Sequence, residues 1–154
     1  MEKPEEFVKI DLDDSLKKRI ELHLELMDKH ALNIIRSAAK IEVILNEAVK
    51  AKFVNEIGVQ KVVGDSLARL IQLAFALGVI KQKTYESLLN FKSVRNRMAH
   101  GEETDLQVKD LLSMLLFLGS DAERVVQEKG SYLAEWHQIS LEILVEHVEA
   151  EVNA

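Results

Sequence analysis

A single proline, at position 4, and only six glycines in 154 residues leave this chain with long stretches that nothing breaks. Proline and glycine are the least favourable residues inside a helix. Between them Leu, Glu, Val, Lys and Ala are the commonest residues, and no segment alternates apolar and polar residues long enough to read as a strand. The chain is therefore expected to be all-α, an antiparallel bundle of five or six helices joined by short connections. A chain of this length is expected to form one domain that buries about two-thirds of its unfolded surface. The first 12 residues read as a polar arm, and residues 13–154 as a single helical-bundle domain.

Composition narrows the chemistry. There is no cysteine, so neither disulfides nor thiolate metal sites are possible. No uninterrupted apolar run reaches membrane-spanning length, and Met1 to Glu6 is too acidic for a signal peptide, so a cytoplasmic protein with no membrane partner is expected. The net charge of -6 does not favour nucleic-acid binding over the whole surface, but it leaves room for a local basic site. Val63-Gly64-Asp65-Ser66 precedes a helix, yet it lacks the glycines and lysine of a P-loop, and Asp65 repels anions. No cofactor is expected. No candidate recognition helix carries the positive charge expected at a DNA backbone, so direct sequence-specific DNA binding is not expected.

Asp13 and Asp14 can cap a first helix carrying Leu16, Ile20, Leu22, Leu24 and Met27. From Ala31 onward Ile34, Ile35, Ala38, Ile41, Ile44, Leu45, Ala48 and Val49 recur at three- and four-residue steps, to about Asn55. Whether one helix or two spans His30 is left open by the pattern. Asp65 or Ser66 caps a helix over 67–77, and Gly78 stops it. Lys83 or Thr84 opens a helix that ends near His100, before Gly101. Thr104 and Asp105 can cap a helix from Leu106, which Gly119 interrupts or which continues to Lys129. A last helix over about 131–152 carries Leu133, Trp136, Ile139, Ile143, Leu144 and Val148 as its apolar stripe.

The segment from Lys81 to His100 holds Lys81, Lys83, Lys92, Arg95 and Arg97 against one acid, Glu86. A helix turns about 100° per residue. With Leu88 at zero, Phe91, Val94 and Met98 fall at about 300°, 240° and 280°, and mark the buried face. Arg95, at about 340°, falls inside that stripe. Asn96 and His100 are four apart and share a flank, whereas Arg97 points elsewhere and reads as a solvated charge. An arginine in an apolar stripe needs a partner, because an unpaired buried charge is unfavourable by several kcal/mol. Either Asp65 or Glu86 supplies it, or the stripe faces a cleft or subunit interface where a phosphate binds.

Arg95-Asn96-x-x-x-His100 resembles the Arg-(four to six residues)-His signature of the HEPN superfamily, including the polar residue that often follows its arginine. The block from Val63 to Ile80, with its Ala76-Leu77-Gly78 turn, resembles the mannitol operon repressor (MltR) family. Tyr85 and the Arg95 to His100 ending follow in that family's order. The resemblance covers roughly residues 31–101. It implies a HEPN-like bundle that pairs as a homodimer with the motifs near the dimer cleft. Active members of the superfamily are metal-independent endoribonucleases, some of them toxins or defence components. By carry-over, His100 is the acid-base residue, Arg95 stabilises the phosphorane, and Asn96 orients the phosphate or the imidazole. Lys92 and Arg97 would add weak RNA contacts. The alternative implied by the mannitol-repressor likeness is a non-catalytic regulatory module acting through a protein partner. Where some HEPN toxins carry a modifiable tyrosine, two places after the histidine, this chain has Glu102.

His23 and His30, near Glu25 and Asp28, lack a second cluster to complete a metal site and read as surface residues. Trp136 reads as a core or interface residue, and His137, His147, Glu146 and Glu149 as a solvated face.

Overall fold

The computed structural model describes residues 14–55, 66–100, 107–130 and 132–154, apart from the side chains of His23, Leu26, Met27, Leu133 and Ala134. The polar arm, Asp65, and the Thr104 and Asp105 cap lie outside the described residues. Every described regular element is helical: α1 (Asp14–Lys50), α2 (Leu67–Ala76), α3 (Gln82–Ala99), α4 (Val108–Ser113), a 3-10 turn (Leu116–Asp121), α5 (Ala122–Lys129) and α6 (Leu133–Val152). No described helix is long and apolar enough to cross a membrane.

The two N-terminal patterns are one helix. α1 runs unbroken through His30 for 37 residues, about 55 Å. Its second half supplies Ile34, Ala38, Ile41, Leu45 and Val49 to the core, each at most 2% exposed. Ile35, expected in that stripe, lies 59% exposed, because it falls about 100° from Ile34. Ser66 caps α2, its hydroxyl accepting from the Arg69 N–H at 3.3 Å. Gly78, at φ 70°, ends that helix as expected, in the left-handed conformation glycine adopts without a Cβ penalty. The cap of α3 is Lys81. Thr84, one of the expected openers, is instead inside the helix and fully buried.

Gly119, at φ 61°, breaks what would have been one long helix. The chain turns there and α5 packs beside the 3-10 turn and α6. α3 is central, burying Leu88, Phe91 and Val94 and contacting α1, α2, α4 and the 3-10 turn. One pair departs from the antiparallel expectation. α6 runs alongside α1 in the same direction, since His30 stacks on His137 near its start and Ala48 shares a cavity wall with Val152 near its end.

Candidate functional site

The last turn of α3 rises out of the core. Phe91 is fully buried and Val94 2% exposed, Arg95, Asn96 and Arg97 are half-buried, and His100 is exposed. His100 is the C-cap residue, and its N–H donates to the Asn96 carbonyl at 3.0 Å. That bond sets Asn96 and His100 one turn apart on the same flank, as their spacing requires. Arg95 lies at the rim of the apolar stripe rather than within it. Among the described residues it makes no ion pair. Glu86, one of its two expected partners, is held by Lys83 at 3.1 Å and by the Gln82 amide at 3.1 Å.

Arg97 overturns the expectation of a solvated charge. Its guanidinium donates to Asp110 at 2.9 Å, and the Asp110 side chain is only 12% exposed. Asp110 also accepts from the Gln107 N–H at 3.1 Å, which caps α4. Burial pushes the Asp110 carboxyl up, but the hydrogen bonds from Arg97 and Gln107, with the Arg97 charge, outweigh it and hold the group below its ordinary value. Arg97 is thus a clamp between α3 and α4. Two further polar anchors fix the same helix: Asn90 donates to the Ser113 carbonyl at 2.8 Å, and the Ser87 hydroxyl accepts from the Leu116 N–H at 3.0 Å. Of the basic segment, Lys81, Lys92 and Arg95 have no side-chain ion pair among the described residues, while Lys83 and Arg97 are committed to acids.

The histidines of α6 point inward, contrary to a solvated face. His137 is 2% exposed and stacks on His30 with ring centroids 3.9 Å apart and planes 7° from parallel. Burial, and then the neighbouring His30, push the His137 imidazole down to about 3. Neither His137 nitrogen nor the Ser140 hydroxyl has a hydrogen-bond partner among the described residues. His147 stacks on Phe117 at 3.6 Å and shares a 2.9 Å hydrogen bond between its Nε2 and the Thr84 hydroxyl. Glu151 lies 3.7 Å from the same Nε2 and accepts from the Lys81 N–H at 3.0 Å. Hydroxyl, imidazole and carboxylate are the components of a proton relay, but a relay needs the two partners on opposite ring nitrogens. Here both face Nε2, and Thr84 is sealed from solvent. The group latches α3 to α6. Trp136 is buried as expected, donating from Nε1 to the Gly130 carbonyl at 3.1 Å.

No group of three or more metal-ligating side chains occurs among the described residues. Comparison with known proteins adds nothing to the geometry: no family model, curated protein or solved structure matches this chain.

Proposed function

We propose that this chain is a HEPN-type, metal-independent endoribonuclease that cuts RNA at the exposed end of α3. One observation carries the reading: Arg95, half-buried, and His100, exposed, stand at the same end of α3, and no described carboxylate makes an ion pair with Arg95. A guanidinium fork matches two phosphate oxygens, and a histidine exchanges protons near neutrality. In the proposed reaction the ribose 2′-oxygen attacks the adjacent phosphorus while its proton passes to a base. The bond from phosphorus to the 5′-oxygen breaks and that oxygen is reprotonated. The products are a 2′,3′-cyclic phosphate and a 5′-hydroxyl. His100 exchanges the proton, Arg95 stabilises the charge growing on the phosphorane oxygens, and Asn96, one turn before His100, orients the phosphate or the ring. Lys92 adds charge along the strand.

The test is cleavage of a panel of single-stranded RNAs in EDTA. Wild type is expected to cut and His100→Ala and Arg95→Ala to lose at least about a hundredfold in rate. Wild-type cleavage no faster than His100→Ala would sink the proposal. The second reading, a non-catalytic regulatory module of the mannitol-repressor type with Arg95 and His100 holding a homodimer, is favoured by the commitment of Arg97 to structure. It requires that Arg95→Ala abolish self-association in sedimentation while wild type leaves RNA intact.

A further inference from the structure

α3 and α4 are tied together at two places. Asn90 donates to the Ser113 carbonyl at 2.8 Å, and the Arg97 guanidinium donates to Asp110 at 2.9 Å. Asn90 and Arg97 are seven residues apart, so they fall within about 20° of each other around α3 and about 10 Å apart along it. Their partners run the other way, from the last residue of α4 to its third. The short helix therefore lies antiparallel along one side of α3, with a polar tie towards each end.

The two ties hold different things. Asn90 lies where the core already grips α3, between the fully buried Leu88 and Phe91. Arg97 lies beyond Val94, the last buried residue of the helix. Past that point Met98 is half-buried against the core, and Ala99 and His100 are exposed. Helix ends open more readily than helix centres. Arg97 stands three residues before His100, so its pair with Asp110 fixes the turn that carries Asn96 and His100. Arg95 and Arg97 are about 200° apart around the helix, so the grip falls on the side away from Arg95. Asp110 uses both oxygens: Oδ1 accepts from Arg97, and Oδ2 accepts from the Gln107 N–H at 3.1 Å. One oxygen anchors the carboxylate at the start of α4 while the other holds α3.

We infer that Arg97 and Asp110 are positioning residues for the site at the end of α3. The pair keeps the last turn closed, so that His100 stays one turn from Asn96 and at a fixed reach from Arg95. The inference rests on the nuclease reading, and it gives Arg97 a role other than contact with an RNA phosphate. The two roles have opposite consequences at Asp110. An Arg97 that bound phosphate would be released by loss of the carboxylate, and RNA binding would strengthen. An Arg97 that positions the turn needs the carboxylate, and its loss slows the chemical step.

Asp110→Asn is nearly isosteric and leaves one acceptor oxygen where two are used. It is expected to lower kcat for RNA cleavage by about tenfold with KM within about twofold, because a small misplacement slows chemistry more than binding. Arg97→Gln should do the same. Asn90→Ala breaks the other tie, about 10 Å farther from the motif, and should leave kcat within about twofold. A readout independent of cleavage is amide hydrogen exchange. At Ala99 and His100 it should accelerate by about tenfold in Asp110→Asn, with Leu88 and Phe91 unchanged. A lower KM with undiminished kcat in Asp110→Asn, an equal loss of kcat in Asn90→Ala, or unchanged exchange at Ala99 and His100 would each overturn the inference. Wild type that cuts no RNA overturns the nuclease reading instead, and exchange alone then decides whether the pair holds the turn.

Discussion

The seam between α6 and its neighbours and the last turn of α3 both concentrate polar side chains, and they use them in opposite ways. Along the seam, His147 is held between Thr84 and Phe117, and His137 is pressed on His30 beneath the surface. At the end of α3, Arg95 makes no ion pair among the described residues, and His100 is exposed. The Arg97–Asp110 pair is the boundary between them, a charged contact that still serves the fold. Polar residue type alone does not mark a site; what separates the regions is whether the fold holds the group inside, as it does His137, or leaves it at the surface, as it does His100.

The strongest attack on this contrast is acid. His137 is pushed down to about 3, chiefly by burial, against about 6.5 in an unfolded chain. The unfolded state then binds more protons between those values, so stability is full above about pH 6.5 and falls as the pH drops toward 3. His30 and His147 are shifted the same way, burial being the first cause in both. Melting temperature is expected to drop steeply from pH 7 to 5, above the range of ordinary carboxylates. His137→Phe should flatten that slope, and an unchanged slope would place the titration elsewhere. Next in size is Asp110→Ala, which removes the Arg97–Asp110 ion pair and uncaps α4. With the Arg97 side chain 30% exposed, solvent screens part of the loss, and about 1–2 kcal/mol of destabilisation is expected in urea titration. The smallest effect on stability belongs to Arg95→Ala and His100→Ala, each within about 0.5 kcal/mol in the same titration. A larger loss would move those residues to the structural side of the comparison.

The elements that punctuation residues define were legible in the sequence. Ser66 opens α2, Gly78 closes it, and Gly119 breaks the helix after α4, because caps and positive φ angles are local requirements. The core stripe of α1 was legible too, apart from Ile35. What escaped were contacts between segments far apart in the chain. Arg97 and Asp110 are joined across a connection, and no periodicity on α3 alone indicates that partner. On α6 the apolar reading was turned slightly off its true axis. Ile139 is half-buried, whereas His137, Leu141, Leu144 and Val148 form the innermost line. The spacing of His137 to those residues, at four, seven and eleven, was a usable signal, hidden because a histidine was read as polar first. The motif at the end of α3 was placed correctly on its helix, but which of its two arginines pairs with a described acid depended on the rest of the fold.

The continuity of α1 through His30 has one further consequence, which concerns phase. A helix transmits position and azimuth together, at about 1.5 Å and 100° per residue. The turns before His30, where every described side chain is exposed, are therefore indexed to the core as teeth on one shaft are indexed to each other. One residue inserted after Lys29 would swing Leu16, Ile20 and Leu24 about a quarter-turn away from the line of Ile34 and Ile41. Seven would lengthen the shaft by nearly two turns and bring them back within about 20° of it. The bundle thus sets both the reach and the facing direction of a surface it does not touch.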